Sequence, residues 1–409
     1  MNKLMDGRFP RRLLLLFEIM SMSLILIYKR DGLDVKTILL AVGLLIVVYG
    51  ANFVLSRVSQ GDLYIFLIVS MLMSIGIIMI FRISADLGLK QLMWLVIGII
   101  AFFGSYIMIT KLSFWDTLFS VYLAAGYSLF AMTLILGDRK HGAINWISVG
   151  GISFQPAEMT KIILVFIIAC FYSKREQFEK YKYADYWMMG VVYSFIGLLF
   201  IQRDLGTAMI FLGIFTGIQY IYSRDRKIIR VNIGLFSMGG VMAYLLFDHV
   251  KVRIMTWLNP WPYIDNKGYQ ITQSLFAIAE GSYFGTGLGR GNPSFIPLSY
   301  NDFIFSSITE EMGVFTGIGI IMLFMILVYR GFKIALRQDD QFYRALALGI
   351  TLMFGIQAFI IIGGVTKVIP LTGLTLPFVS YGGTSVLSSF IALGVLQGAS
   401  EKLTREVSR

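Results

Sequence analysis

Long apolar runs separated by short polar connectors make up most of this chain. A helix needs about 20 mostly apolar residues to cross the hydrocarbon of a bilayer. By that measure twelve spans are predicted, over 12–29, 35–55, 62–81, 90–109, 117–136, 158–173, 186–202, 205–222, 231–248, 303–329, 343–362 and 380–398. The first two carry Glu18 and Asn52, and Gln202-Arg203-Asp204 leaves almost no connector between two others. Two connectors are long, 137–157 and 249–302, and both are rich in Gly, Pro and aromatic residues. Loops of that length in a chain of short connectors are usually functional. Within the second, the polar Gln270, Gln273 and Ser274 oppose Ile271, Leu275 and Ile278, which predicts an amphipathic helix lying along the membrane surface.

Composition sharpens the class. The 409 residues are 57% hydrophobic and 14% charged, against about 25% charged in a soluble domain. The fold class is therefore an all-α polytopic integral membrane protein: a two-helix extension over 1–58, a membrane core over 59–400 and a short tail over 401–409. Net charge is +11, but the basic residues are scattered through short loops. They read as orientation signals and lipid-headgroup contacts rather than as a nucleic-acid surface. If the N-terminus is cytoplasmic, the inside segments hold Arg8, Arg11, Arg12, Arg57, Lys111, Lys174, Arg175, Lys180, Lys182, Arg224, Arg226, Lys227 and Arg230. Arg330, Lys333, Arg337, Arg344, Lys402, Arg405 and Arg409 continue the series, while Lys29, Arg30, Lys36, Arg82, Lys90, Arg139, Lys140 and Lys367 fall outside. Both termini are thus expected inside, with the loop 249–302 outside. Met1 to Arg12 is basic, but no small-residue cleavage site follows, so the first run reads as a retained helix. The lone Cys170 excludes an internal disulfide, and with only His141 and His249 no histidine/cysteine zinc site can form.

Acids at helix mouths are the candidate chemistry, because a charge at the centre of a membrane helix costs about 2.5–3.5 kcal/mol on insertion scales. Asp302 opens the tenth span, with Glu310 and Glu311 deeper in the same helix. It is read as a base at the outer water–lipid boundary, against the alternative of a helix cap shared with Asn301. Asp204 is either an N-cap or a cavity-lining acid. Glu158 and Lys161, three apart behind Pro156, are either a structural ion pair or the polar wall of a cavity. Gly285, Gly287, Gly289 and Gly291 surround Arg290; they form a hinge or present backbone N–H groups to a pyrophosphate held by Arg290. The stretch 363–377 is too broken to cross a membrane and too apolar for an open loop, so it either packs inside the protein or lines a cavity. Ser380 and its small neighbours then open the last span with close helix contacts.

Five strings carry a resemblance: NWISVGGISFQPAEMTK, QRDLGTA, GYQITQSLFAIAEGSYFGTGLGRG, NDFIFSSITEEMG and VIPLTGLTLPFVSYGGTS. In this order, from about residue 137 to 398, they closely resemble the SEDS family of bacterial membrane proteins (RodA, FtsW, SpoVE). The first two helices look like the extension of twelve-span, RodA-like members on a ten-span core.

That resemblance implies a multi-pass enzyme of the bacterial cell membrane, a peptidoglycan glycosyltransferase that polymerises lipid II for the cell wall in cell shape or division. The acid of the D-F-I-F motif falls on Asp302, implied as the general base that deprotonates the acceptor 4-hydroxyl, with inversion to a β-1,4 link and release of undecaprenyl pyrophosphate. Gln155, Glu158, Lys161, Asp204, Gln270, Gln273, Arg290, Lys367 and Ser380 are the expected substrate-binding residues. The cofactor is left open: a divalent cation such as Mg or Mn would suit the leaving group, with Asp302 the acid able to meet it. Expected partners are a class B penicillin-binding protein, other elongation or division proteins and membrane lipids. A lipid II flippase and a non-catalytic scaffold activating that transpeptidase are the competing readings. Three positions depart from the family pattern: Asn145 where a basic residue is common, Arg203 where proline is usual, and Ile361 where asparagine is frequent.

Overall fold

The computed structural model describes residues 8–28, 35–140, 143–149, 152–175, 183–223 and 226–407. Lys29, Arg30, His141, Lys180, Lys182, Arg224 and Arg409, named above, lie outside the described residues. Helices dominate: α1 (Arg8–Tyr28), α2 (Val35–Val58), α3 (Leu63–Ile83), α4 (Ala85–Lys111), α5 (Phe119–Leu136), α6 (Pro156–Ser173) and α7 (Ala184–Gln202). Then follow α8 (Leu205–Tyr222), α9 (Arg226–Leu246), α10 (Asp248–Leu258), α11 (Tyr269–Gly281), α12 (Ile304–Arg337), α13 (Gln341–Val365) and α14 (Gly383–Val407).

Eleven of these, among the described residues, are long and apolar enough to cross a membrane. The chain is a multi-pass membrane protein. The expected twelfth span, 12–29, does form the helix α1, but α1 carries Arg11, Arg12 and Glu18 and is not among the eleven. It is held through polar contacts: Ser74 Oγ lies 2.5 Å from Glu18 Oε1, and Arg11 Nη1 donates to Ser56 Oγ at 2.9 Å.

Helices α3, α6, α13 and α14 are the most enclosed; α5, α7 and α9 show most of their apolar side chains outward. That is what a bilayer permits, since lipid tails do not penalise an exposed leucine. Buried polar groups knit the centre instead. Ser105 Oγ donates to Ile391 O at 3.1 Å between α4 and α14, and Gln91 Nε2 donates to Ser380 O at 3.1 Å.

The connectors differ most from expectation. The loop 137–157 holds a small antiparallel sheet, β1 (Asp138–Lys140), β2 (Ala143–Val149) and β3 (Ile152–Phe154), in that order. The loop 249–302 begins within the helix α10 rather than as open chain. Helix α11 is where its pattern predicts. Its enclosed side is mixed: Ile271, Thr272 and Ser274 are buried, and Ser274 Oγ lies 2.6 Å from Ser306 Oγ on α12, while Gln270 and Gln273 are half-buried.

Helix α12 is broken. Gly313 has φ 85° and ψ 164° in its interior, a conformation open to glycine. The freed N–H groups beyond the break find carbonyls of the preceding loop: Val314 N donates to Ser282 O at 2.9 Å and Phe315 N to Tyr283 O at 3.3 Å. Thus the expected single span 303–329 is a short buried helix, 304–312, followed by the membrane helix proper. Non-helical backbone at this depth is tolerated because protein surrounds it.

Candidate active site

Asp302 does not cap α12. The cap position is Phe303, without a side-chain hydrogen bond, so the capping alternative for Asp302 and Asn301 falls. Instead Asp302 is half-buried and faces the loop 366–382. A methyl group built on Gly373 would sit 3.4 Å from Asp302 Oδ2 and 3.1 Å from Arg253 Nη2. Carboxylate and guanidinium therefore border one small space above the exposed Gly373.

Arg253 comes from α10 and is fixed by a 2.9 Å bond from Nη1 to Thr372 O. Burial lowers its pKa, while the carboxylates of Asp302 and Asp204 act in the opposite direction. An arginine stays protonated through such a shift, so a fixed positive charge stands beside the acid. Arg253 was not among the residues expected from the chain. The only signal was one basic residue on a short stretch before Asn259-Pro260-Trp261, with nothing to tie it to Asp302.

Arg253, Pro370, Leu371 and Thr372 also line an apolar cavity of about 600 Å³ between α7, α8, α9 and α10, together with Phe200, Met209 and Phe236 among others. Arg253 thus belongs both to this lining and to the space it shares with Asp302.

Of the expected residues Asp204 stands next to it, its carboxylate acting on Arg253. Asp204 is an N-cap, as its sequence allowed: Oδ1 accepts from Thr207 N at 3.1 Å. Its other oxygen lies 3.4 Å from Gln155 Nε2. Glu158 and Lys161 form a buried pair at 3.0 Å, 4% and 3% exposed. Ser388 Oγ donates to Glu158 at 2.7 Å, and Lys161 donates to Gln357 Oε1 at 2.9 Å. Gln357 Nε2 then donates to Thr375 O at 2.8 Å, so the pair braces the loop that carries Gly373.

The other expected residues are dispersed. Ser380 is buried and donates to Asn301 O at 2.8 Å while accepting from Leu376 N at 2.8 Å; it fixes the backbone beside Asp302. Lys367 is half-buried with φ 62°, and its carbonyl accepts from Trp257 Nε1 at 3.2 Å. Gln270 and Gln273 are half-buried on α11. Arg290 is exposed. Its glycine loop does present N–H groups to anions, but these belong to the protein: Gly289 N donates to Glu311 Oε2 at 2.8 Å and Asn292 N to Glu310 Oε1 at 2.6 Å. Arg82 Nη2 completes the latch, 3.3 Å from Glu311 Oε1 and 2.8 Å from Gly289 O. Glu310 and Glu311 are thereby internal partners of the loop.

No three His, Cys, Asp or Glu side chains converge as metal ligands among the described residues. The donor set around Asp302, with a guanidinium alongside, does not fit a resident divalent ion.

A family model described as cell cycle protein, FtsW/RodA/SpoVE, matches residues 62–405. The chain belongs to the FtsW/RodA/SpoVE family. It is similar to stage V sporulation protein E of Bacillus subtilis, 35% identical over 84% of this chain and 98% of that one. It is likewise similar to the peptidoglycan glycosyltransferase RodA of Mycobacterium tuberculosis, 34% identical over 80% of this chain and 76% of the relative. A chain solved in a peptidoglycan synthase complex, in work on how polymerization and crosslinking are coordinated, shares the fold. Its TM-score is 0.71 at 24% identity, covering 84% of this chain and 98% of that one.

Against the FtsW/RodA/SpoVE pattern the three departures fall in different places. Ile361 is buried in α13, and Asn145 lies on β2 with its Oδ1 buried and unpartnered. Arg203 ends α7 with φ 62°, which a proline ring fixed near −65° cannot adopt. The α1–α2 extension precedes the matched region.

Proposed function

We propose that this protein is a peptidoglycan glycosyltransferase that polymerises lipid II, with Asp302 as its general base. The observation that carries the reading is the shared space above Gly373, bordered by Asp302 and by Arg253, which also lines the apolar cavity. A substrate with a long polyprenyl chain and an anionic head needs such a junction. The carboxylate takes the proton of the acceptor 4-hydroxyl on N-acetylglucosamine. That oxygen bonds to the donor's anomeric carbon from the face opposite the leaving group. The carbon–oxygen bond to undecaprenyl pyrophosphate breaks with its electron pair, giving an inverted β-1,4 link. Arg253 offsets negative charge as it develops, and the proton on Asp302 passes to water. Gln155, Asp204 and Lys367 are assigned to the polar surroundings, and Glu158, Lys161 and Ser380 to holding the loop 366–382 in place. Gln270, Gln273 and Arg290 are the remaining contacts, on the outward face where a growing glycan would pass.

The orientation that fits has both termini in the cytoplasm and the Asp302 side outward, with a class B penicillin-binding protein beside it. A general base contributes about 10²–10⁴ in rate. Purified protein with its transpeptidase partner and lipid II is therefore expected to make polymer, and Asp302→Asn to lose it by a factor in that range. Equal polymer from both would refute the assignment. Lipid II translocation without polymer would favour the flippase.

A further inference from the structure

We infer that Arg203, His249 and Arg253 form a cationic rim that seats the diphosphate of a polyprenyl diphosphate whose chain occupies the cavity between α7, α8, α9 and α10. The inference rests on the polyprenyl-linked substrate proposed above and adds the residues that hold its anionic group. Arg203 is exposed, yet it is not loose. Its guanidinium lies over the Phe247 ring, 5.4 Å from the centroid. The other contact of Phe247 is His249, with ring centroids 5.5 Å apart and planes at 23°. Phe247 also packs on Phe200 at 4.9 Å, and Phe200 lines the cavity, as Arg253 does.

Arg203 and His249 therefore share the Phe247 ring, and Arg253 lines the same cavity as the Phe200 against which that ring packs. Their mutual proximity appears in the imidazole. Burial lowers the pKa of His249, the guanidiniums of Arg253 and Arg203 lower it further, and Asp248 raises it. Two guanidiniums this close to an imidazole disfavour its protonation, and an anion seated between them relieves that. Guanidinium forks match phosphate oxygens in pairs. The apolar chamber behind them selects an anion that carries a hydrocarbon chain.

Backbone geometry points the same way. Arg203 is the residue after α7 and closes it with a left-handed turn, Asp204 N donating to Leu199 O at 2.9 Å. Glycine is the usual residue there and asparagine the common substitute; any other side chain is strained in that backbone conformation. A strained position that keeps a long cationic side chain is the pattern expected of a ligand contact. The same geometry supplies the test, because Arg203→Gly removes the charge and relieves the backbone at once.

The measurement is binding of undecaprenyl diphosphate to purified protein in nanodiscs, with undecaprenol and inorganic pyrophosphate as comparators. Arg203→Gly and Arg203→Asn are each expected to weaken diphosphate binding about tenfold or more, as loss of a charge-assisted bond does, and to leave undecaprenol unchanged. Arg203→Lys is expected to retain most of the affinity. Affinity of the wild type is expected to rise as pH falls from 8 to 6, since a bound dianion stabilises the imidazolium, and His249→Gln flattens that slope. Unchanged diphosphate affinity in both Arg203→Gly and Arg203→Asn overturns the inference. So does pyrophosphate binding as tightly as the polyprenyl form, which would leave the cavity no part. These assays need no turnover: weakened binding in the Arg203 variants with no glycan made by wild type would sink the glycosyltransferase reading and leave the rim standing.

Discussion

Gly373→Ala is the most direct probe of the site, because two of its effects separate. Gly373 has φ 73°, and an L-residue there costs about 1–2 kcal/mol in backbone strain. The new methyl would lie 3.4 Å from Asp302 Oδ2, an ordinary contact, and 3.1 Å from Arg253 Nη2, where the guanidinium must yield a few tenths of an ångström. The fold should therefore survive with a modest loss of stability. The space between base and cation does not survive, since the methyl fills it. Misplacement of reacting groups by about 1 Å lowers rates about 100-fold, and at least that loss of polymer is expected. Gly287→Ala is the matched control. Its φ of 105° brings comparable strain, but its methyl makes only an ordinary contact with the aliphatic stem of Arg290, at 3.4 Å from Cδ, which leaves the guanidinium in place. Thermal stability in detergent and gel-resolved glycan from lipid II are read for both variants. The expected result is similar destabilisation with activity lost only in Gly373→Ala. Full activity in Gly373→Ala, or equal losses in the two variants, would refute the placement of the reacting groups above that residue.

Two further outcomes follow from named contacts. Lys161→Met leaves Glu158 buried without its cation, which costs about 3–5 kcal/mol; Glu158→Gln with Lys161→Met should recover most of it, and thermal melts of the single and double variants check this. His249 has a lowered pKa, so it binds its proton less readily in the folded chain than in the unfolded one, near pKa 6.5. Its contribution to stability is thus present above about pH 6.5 and lost as pH falls through the lowered value. Melting temperature should decline from pH 7.5 to 5 more steeply in wild type than in His249→Gln, and superimposable curves would contradict that.

Much of this architecture is legible from local chemistry. An apolar run of bilayer length has few alternatives to a helix, so the core spans lie where hydropathy puts them. Asp302, Asp204 and the Glu158–Lys161 spacing are visible because a charge in such a run is costly and cannot be incidental. What stays hidden is pairing across the chain. The cation that shares the space above Gly373 with Asp302 is Arg253, on a helix whose mixed composition reads as loop. The glycine series suggests a phosphate cradle because it does offer N–H groups, but Glu310 and Glu311, also read from the sequence, are the anions that accept them. Helix α11 lies where its pattern puts it, but the pattern does not show that Ser274 turns to Ser306, since a hydroxyl suits a hydrogen-bonded packing surface as well as it suits water. Gly313 carries no distinctive neighbour that marks a break.

The break at Gly313 has a mechanical consequence. The segment bearing Asp302 is moored to its own loop through Glu310, Glu311 and Arg82, whereas the remainder of α12 answers to the lipid around it. A bilayer that thickens, thins or tilts that lower rod can be accommodated at the joint without dragging the acid along. The general-base role proposed for Asp302 therefore predicts an alignment insulated from the material state of the surrounding membrane.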